Sequence, residues 1–333
     1  MTSGQSGGSR KTALVVGSDS KVAPAVRKVL PGWKIARADN NSAALEMLKA
    51  QPYDLVLTGE ESSGKQDVEL LRKIRIVRPH VRLIIITTES TPSDVIAAMR
   101  ERAFSYFSQP YSMAVFEQML HLATTGPVWD EGIEILSATP ELIQLIARCD
   151  LKTADRLIQF IHEVSNLPPK EKEAVGFAFR EMLMNAIEHG AQFNSTQHVE
   201  ISYIRAKHMV LCRVKDPGEG FALDEVRHAA IMNPPTNPLR HTAIRDKQGL
   251  RPGGFGILLT RNIIDELIYG ETGNEVVLIK YLKSDPVSYT HLDVYKRQIL
   301  LLRPNWRRRF RASSGCPTRF ANHCRQWSSL PAK

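Results

Sequence analysis

Long apolar runs and metal-like cysteine patterns are both missing from this chain of 333 residues. No stretch approaches the roughly 18 consecutive apolar residues that a membrane-spanning helix needs. The start, MTSGQSGGSRKT, is rich in Gly and Ser and lacks the apolar core of a signal peptide, so residues 1–10 are predicted to be a flexible leader. Of four cysteines, only Cys149 and Cys212 precede residue 286, without metal-ligand spacing. These absences favour a reduced, cytoplasmic protein that does not bind membranes.

An evenly distributed positive charge is also missing. The net charge is +9, but ten of the 44 Lys and Arg residues lie from Pro286 onward, against one of the 35 acidic residues, Asp293. The first 285 residues therefore carry 34 residues of each sign and are formally neutral. A basic surface for nucleic acid would depend on the tail alone, so nucleic-acid binding is not expected.

The basic tail opens with PVSYTHLDVYKRQ. Residues Val287 to Gln298 back-translate to a nearly palindromic DNA that resembles a sequencing-transposon mosaic end joined to its own inverted complement. We therefore interpret residues 286–333 as an assembly artefact and exclude them from fold reasoning. A disordered basic tail is the alternative, and one unbroken read across the locus that contains this stretch intact would support it.

Short apolar runs alternate with amphipathic segments across residues 11–124. Runs such as TALVVG, DLVLTG and LIIITT are typical of strands, whereas Asn41–Ala50 and Met113–Ala123 are typical of helices. This alternation predicts an α/β, flavodoxin-like domain with a parallel sheet and helices on both faces. The stretches YDLVLTGEES, DVELLRKIR, VRLIIITTES and AFSYFSQPY resemble the receiver domain of bacterial response regulators, and the resemblance covers nearly all of residues 11–124.

The resemblance also shows which receiver residues are absent. A phosphorylatable receiver has an acidic pair after the first strand, an aspartate ending the third, Thr or Ser after the fourth and Lys after the fifth. The corresponding positions here are Gly17 and Ser18, Gly59, Thr87, and Gln109 before Pro110. Asp19 and Glu60 lie one residue away, where a side chain on a strand points elsewhere. We interpret this domain as a pseudo-receiver for docking, dimerisation or sensing, without a Mg²⁺ site or a phosphoacceptor. A purely structural scaffold is the alternative.

A second domain follows a predicted linker. Turn formers in TTGPVWDEGIEILSATP place the linker at residues 125–139, although IEIL within it is strand-like. The domain predicted over residues 140–283 has an α+β pattern. Its predicted elements are helices over about Pro140–Val164 and Lys170–Glu188, strands in HVEISYIRA and MVLCRVKDPG, a helix near Phe255–Leu267, and a final strand in NEVVLIKYL.

Three short motifs in this domain carry candidate chemistry. In EMLMNAIEHG, helical spacing places Glu181, Asn185, Glu188 and His189 near one face, with Met182, Leu183, Ala186 and Ile187 toward the core. In DPGEGF, Asp216 ends a strand, where a carboxylate can accept the adenine amino hydrogen. Gly218 and Gly220 of that motif let a flat base approach the backbone. In RPGGFGI, a helix begins after Gly253, Gly254 and Gly256, and its unpaired N–H groups suit a polyphosphate.

Together and in this order, the three motifs resemble the GHKL-type (Bergerat) ATP-binding sandwich of gyrase, histidine kinases and MutL. The resemblance covers about Leu151–Leu282 and implies ATP and Mg²⁺ as ligands, with Asn185 as the Mg²⁺ ligand. The irregular residues 222–252 are then expected to form a lid over ATP.

Among the protein families that share this fold, the residue type at position 181 favours one family. Histidine kinases usually carry Asn at this position, and the faint phosphoacceptor-like box at His162 leaves only residues 168–174 before the next helix. Anti-sigma-factor serine kinases of the RsbW and SpoIIAB type carry Glu there, as general base. The resemblance therefore implies that Glu181 is catalytic toward a serine of a STAS-domain antagonist, with a sigma factor as a further partner and a homodimer compatible with the pattern. Glu188 and His189 are interpreted as supporting or helix-end residues. The alternative is an ATP-gated switch that sequesters its partner without transferring phosphate.

Overall fold

A computed structural model gives the structure of this protein. It describes residues 11–17, 22–59, 62–125, 132–221, 229–230, 233–234, 236–247 and 254–282. The tail that we interpret as an artefact, residues 286–333, lies outside the described residues, as do the leader and residues 222–228, 231–232, 235 and 248–252 of the predicted lid.

The first domain alternates strands and helices, as its sequence predicts. The elements are β1 (Thr12–Val16), α1 (Val22–Val29), β2 (Lys34–Ala38), α2 (Asn41–Ala50), β3 (Leu55–Leu57), α3 (Gly64–Val77), β4 (Arg82–Thr87), α4 (Pro92–Arg100), β5 (Ser105–Ser108) and α5 (Met113–Ala123). The five strands are parallel in the order β2-β1-β3-β4-β5. The predicted flavodoxin-like α/β sheet is confirmed, and β5 is one of its two edges.

Burial on both faces explains the continuous apolar strands of this sheet. Every residue of β4 is buried, and successive side chains enter opposite cores. Ile84 and Ile86 pack with residues of α1 and α5, whereas Leu83 and Ile85 pack with residues of α2, α3 and α4. Side-chain caps fix where three of these helices begin, because Asn40, Ser63 and Thr91 accept hydrogen bonds from first-turn N–H groups.

The second domain is an antiparallel sheet with helices on one face. Its elements are β6 (Ile133–Ala138), β7 (Leu142–Arg148), α6 (Leu151–Val164), α7 (Pro169–Asn185), a π turn (Ala186–Gly190), β8 (His198–Arg205), β9 (Met209–Lys215), α8 (Arg240–Lys247), α9 (Gly256–Ile263), β10 (Glu266–Tyr269) and β11 (Glu275–Tyr281). The strand order is β10-β11-β9-β8-β7-β6. Helices α6 and α7 pack on each other and on this sheet. The predicted α+β sandwich is confirmed.

Three predicted boundaries in this domain need correction. The helix predicted over Pro140–Val164 is strand β7 followed by α6. The stretch Ile133–Ala138, predicted as linker, is β6, which pairs with β7. The helix predicted to Leu267 ends at Ile263, and its last residues begin β10, which pairs with β11.

The two domains pack against each other within one compact unit that extends to Leu282. Helix α6 of the second domain lies against α4, β5 and α5 of the first. Side chains of both domains, among them Val95, Met99 and Phe160, belong to the same buried cluster. No helix among the described residues has the length and apolar character needed to cross a membrane.

Candidate functional site

Helix α7 presents the first motif as its sequence pattern predicts. The helix starts at Pro169, where the missing N–H of proline costs no intrahelical bond. Met182, Leu183, Ala186 and Ile187 are buried toward the sheet, as expected. On the other side Glu181, Asn185 and Glu188 are half-buried and His189 is exposed, so the polar set does lie along the rim of the core.

Glu181 faces the start of helix α9. A Cβ added to Gly256, the first residue of α9, would lie 2.4 Å from Glu181 Oε2. The residue before the helix, Phe255, makes no side-chain capping hydrogen bond. The carboxylate and the first N–H groups of α9 therefore lie at the same place, and those N–H groups and their positive dipole end are suited to an anion.

Asp216 lies directly after β9 and is held by its own loop. Its Oδ1 accepts a hydrogen bond from the Gly218 N–H at 2.8 Å. Burial raises the pKa of this carboxyl above its usual value, although the bond from Gly218 and one from its own backbone lower it in part. The neighbouring Cys149 thiol is buried, and burial together with the Asp216 charge raises its pKa to about 11.

Glycines surround Asp216 because nothing larger fits there. A Cβ on Gly190 would lie 2.3 Å from Asp216 Cγ, and one on Gly218 would lie 2.6 Å from the Gly190 carbonyl oxygen. The π turn after α7 thus brings the end of the first motif onto the second. Two glycines therefore border the carboxylate, one from each motif.

The β10–β11 hairpin braces this loop from the other side. The Asn274 side-chain amide donates to the Gly218 carbonyl oxygen at 3.1 Å, and the Asp216 N–H donates to the Asn274 carbonyl oxygen at 2.9 Å. Gly220 has φ +84°, and a Cβ there would lie 1.8 Å from the Thr272 carbonyl oxygen. Sequence reasoning missed Gly190 and Asn274. The signals were the glycine that ends EMLMNAIEHG and the turn sequence ETGN.

The third motif is only partly described. Gly253 lies outside the described residues, whereas Gly254 has φ +89° and its carbonyl oxygen accepts from the Ala230 N–H at 2.8 Å. Of the predicted lid, α8 is described. His241 of α8 is buried edge-on against Phe255, with ring centroids 4.4 Å apart, and its N–H donates to the Asn233 side-chain oxygen. The described lid residues therefore pack beside the start of α9.

The site thus has two clusters on one domain. Glu181 lies with Gly256, and Asp216 lies with Gly218 and Gly190. Asn185 ends α7 between them along the chain, and neither its side chain nor that of Glu181 makes a hydrogen bond to the described residues.

Gly17 and Gly59, two positions that the sequence analysis compared with receiver site residues, lie close together in the first domain. A Cβ on Gly59 would lie 2.5 Å from the Val16 carbonyl oxygen, and one on Gly17 would lie 3.6 Å from Gly59 Cα. The Thr87 hydroxyl donates to the Ser62 carbonyl oxygen at 2.6 Å. Ser18, Asp19 and Glu60 lie outside the described residues. Among the residues that are described, no cluster of His, Cys, Asp and Glu could hold a metal ion.

One carboxyl, Asp67, is fully buried at this end of the first domain. Its Oδ2 accepts from the Ser62 hydroxyl at 2.7 Å, and its Oδ1 has no hydrogen-bond partner. Burial raises the pKa of Asp67 to about 7, against the lowering effect of its hydroxyl neighbours Ser62 and Thr58. The carboxyl therefore titrates near neutrality.

Comparisons with known families match the two halves separately. A family model described as the response regulator receiver domain matches residues 13–121. One described as the histidine kinase-like ATPase domain matches residues 147–280. The chain joins a receiver domain to a histidine kinase-like ATPase domain. This pairing fits a signal-transduction regulator.

Individual relatives match the receiver half. The transcriptional regulatory protein ZraR of Klebsiella oxytoca is 28% identical over 105 residues, which cover 31% of this chain and 24% of that protein. The chemotaxis protein CheY-3 of Vibrio cholerae serotype O1 is 31% identical over 85 residues, which cover 25% of this chain and 65% of that protein. A response regulator of known structure from Thermotoga maritima is 20% identical, with a TM-score of 0.31 and coverage of 35% and 99%. The chain spans about a quarter of the length of the first of these relatives.

The ATPase domain implies ATP binding, usually with Mg²⁺, and its described residues fit both groups. The Asp216 carboxylate, held at the end of β9 by the Gly218 N–H, can accept a hydrogen bond from an amino group. The Asn185 amide oxygen is the neutral oxygen ligand that Mg²⁺ accepts together with water and phosphate. The uncapped start of α9 suits the phosphates.

Proposed function

We propose that this protein is an ATP-dependent protein serine kinase of the anti-sigma-factor type, regulated by a receiver domain that is not phosphorylated. The observation that carries the proposal is the Glu181 carboxylate at the start of α9, against Gly256. A negative carboxylate beside N–H groups that suit phosphate weakens phosphate binding. A role as base in the reaction explains why a carboxylate lies there.

Each site residue has a distinct task in this account. Asp216 accepts a hydrogen bond from the adenine amino group, and Gly218 and Gly220 let the base lie against the backbone. Asn185 holds Mg²⁺, while Gly253, Gly254 and Gly256 bring the α9 amides to the phosphates. Bound ATP supplies the phosphoryl group. Glu181 orients the serine hydroxyl of the partner and takes up its proton.

The proposed substrate is a small STAS-domain antagonist, with a sigma factor as a second partner. This assignment follows from the resemblance of the Glu181–Asn185 spacing and the RPGGFGI motif to the RsbW and SpoIIAB group. The near-neutral charge of residues 1–285 supports a protein partner rather than a nucleic acid. A cytoplasmic location is part of the same proposal, because it rests on the same resemblance.

The regulatory role of the receiver domain rests on Gly59. A Cβ at this position would lie 2.5 Å from a backbone oxygen, which supports a receiver without a phosphoacceptor side chain there. Incubation of the full chain with acetyl phosphate and Mg²⁺ should leave its intact mass unchanged. A mass increase of one phosphoryl group on residues 11–124 would contradict this part of the proposal.

Phosphate transfer to a STAS-domain protein tests the kinase assignment. With γ-labelled ATP, intact mass and site mapping should show one phosphoserine on the partner. Glu181→Gln should lower the rate by roughly a hundredfold or more, because the base is removed while the shape is kept. Its Mg·ATP affinity should not fall, since the substitution removes a negative charge beside the phosphates and no contact to the nucleotide.

Glu173→Gln is the matched control, because Glu173 is an exposed carboxylate on the same helix. Equal transfer by the wild type and Glu181→Gln would refute the role of the base. Mg·ATP binding with no transfer to any serine would instead favour the ATP-gated switch.

A further inference from the structure

Besides Thr153 near its start, helix α6 carries three long polar side chains that are almost fully buried. Arg156, Gln159 and Glu163 are 5%, 7% and 7% exposed, and their spacing of three and four places them on one face of the helix. Leu157, Phe160 and Ile161 of the same helix are buried among apolar side chains. Buried polar side chains need hydrogen-bond partners. The polar side of α6 must therefore contact groups that supply them.

Those groups belong to the edge strand of the receiver domain. Arg156 Nε donates to the Phe104 carbonyl oxygen and Gln159 Nε2 donates to the Tyr106 carbonyl oxygen, both at 2.9 Å. The Ser108 N–H donates to Glu163 Oε2 at 3.1 Å, and the Ser108 hydroxyl donates to the same oxygen. The three contacts are at every second residue, Phe104 directly before β5 and Tyr106 and Ser108 within it, as expected for the outward-facing groups of an edge strand.

Further contacts link these side chains to one another and to Phe104. Gln159 Nε2 also donates to Glu163 Oε1 at 2.9 Å, and the Arg156 guanidinium lies 4.6 Å from the centroid of the Phe104 ring. His162 Nδ1 lies 3.6 Å from Glu163 Oε1 on the half-exposed side. The Glu163 carboxylate is therefore satisfied by groups from both domains.

We propose that α6 is the built-in partner of the receiver's β5 edge and couples that edge to the ATP site through Glu163. Ser108 is the last residue of β5 and precedes Gln109, at the end of the strand where the receiver site lies. On its other side α6 packs on α7, which carries Glu181 and Asn185. A shift of Ser108 thus moves Glu163, and with it the helix pair of the ATP site. The contact itself is independent of the proposed function, whereas its effect on ATP rests on it.

Hydrogen exchange of the full-length protein tests the contact. The amide of Glu163→Gln offers one neutral oxygen in place of two charged ones, so the Ser108 N–H either loses its acceptor or keeps a weaker one, whichever way the amide turns. Exchange of the Ser108 amide should rise about tenfold in this variant. Ser108→Ala keeps the N–H and removes only the hydroxyl, so exchange of the amide at position 108 should rise less than in Glu163→Gln. Glu173→Gln should have no effect.

Calorimetric titration of the full-length variants with Mg·ATP tests the coupling. The dissociation constant of Glu163→Gln should differ from that of the wild type by roughly threefold or more, whereas Glu173→Gln should match the wild type. Unchanged exchange at Ser108 in Glu163→Gln would overturn the contact. Faster exchange with unchanged ATP affinity would overturn the coupling. If the wild type binds no Mg·ATP, the proposed function and the coupling fail, and the exchange data alone decide the contact.

Discussion

At the scale of single residues, Asp216 owes its position to glycines. Gly190 and Gly218 are so close to the carboxylate that a Cβ on either would lie within 3 Å of an Asp216 atom. Gly190 belongs to the helix motif and Gly218 to the strand-end motif, so two segments distant in sequence fix one acceptor. The same reasoning gives a substitution that alters the acceptor without removing it.

Gly190→Ala should lower Mg·ATP affinity by roughly tenfold or more, because the added methyl displaces the Asp216 carboxylate. Calorimetric titration measures the affinity, and circular dichroism checks the fold. Gly176→Ala is the matched control, since Gly176 is on α7 and no atom lies within 4 Å of an added Cβ. This control should bind normally and gain up to about 1 kcal/mol of stability from helix propensity. Normal affinity in Gly190→Ala would contradict the placement of the base beside Asp216.

Asp67 makes a second prediction at this scale. Its pKa is raised from 3.8 to about 7 in the folded state, so folding favours the protonated carboxyl. Its stabilising contribution is complete below pH 3.8 and is lost as the pH rises through 7. Relative to Asp67→Asn, the wild type should therefore lose about 2.5 kcal/mol of unfolding free energy between pH 5 and 7.5. Urea unfolding of both proteins at the two pH values measures this difference, and parallel curves would contradict it.

At the scale of elements, the receiver half was predictable and the boundary region was not. The predicted limits of α2 and α5 match the structure residue for residue, since their amphipathic periods are long and regular. In β7, LIQLIAR, the buried residues Ile143, Leu145 and Ala147 alternate, but apolar Leu142 and Ile146 hide that period. The sequence ELIY is too short to distinguish from the end of a helix, and only pairing with β11 makes it a strand.

The candidate site shows the same limit. Glu181, Asn185 and Asp216 could be named from residue type and spacing. Gly190 and Asn274 could not, because their roles arise from the π turn and from the β10–β11 hairpin, which bring them to Asp216 from distant segments.

The close approach of the chain after β3 to the end of β1 gives a prediction about stability at the scale of elements. Gly59→Ala places a methyl 2.5 Å from the Val16 carbonyl oxygen, a backbone atom that cannot turn aside. The substitution should cost about 1–3 kcal/mol of unfolding free energy. Urea unfolding measures it beside Gly176→Ala as the tolerated case. A stable Gly59→Ala protein would show that the strand ends are not closed, and would reopen the question of a site there.

At the scale of the whole molecule, the receiver and ATPase domains share a buried cluster and a hydrogen-bonded interface through α6. The receiver is therefore positioned to regulate the ATPase domain of its own chain. Regulation of this kind has meaning only if the ATPase domain binds its nucleotide, which makes that binding the central claim.

Calorimetric titration of the full-length protein with Mg·ATP, beside Asn185→Ala, tests that claim most directly. The account predicts magnesium-dependent binding by the wild type and a loss of roughly tenfold or more in the variant, because Asn185 supplies the Mg²⁺ ligand. The Gly176→Ala control should bind as the wild type does. Absence of binding by the folded wild-type protein would contradict the account and leave a protein-interaction scaffold in its place.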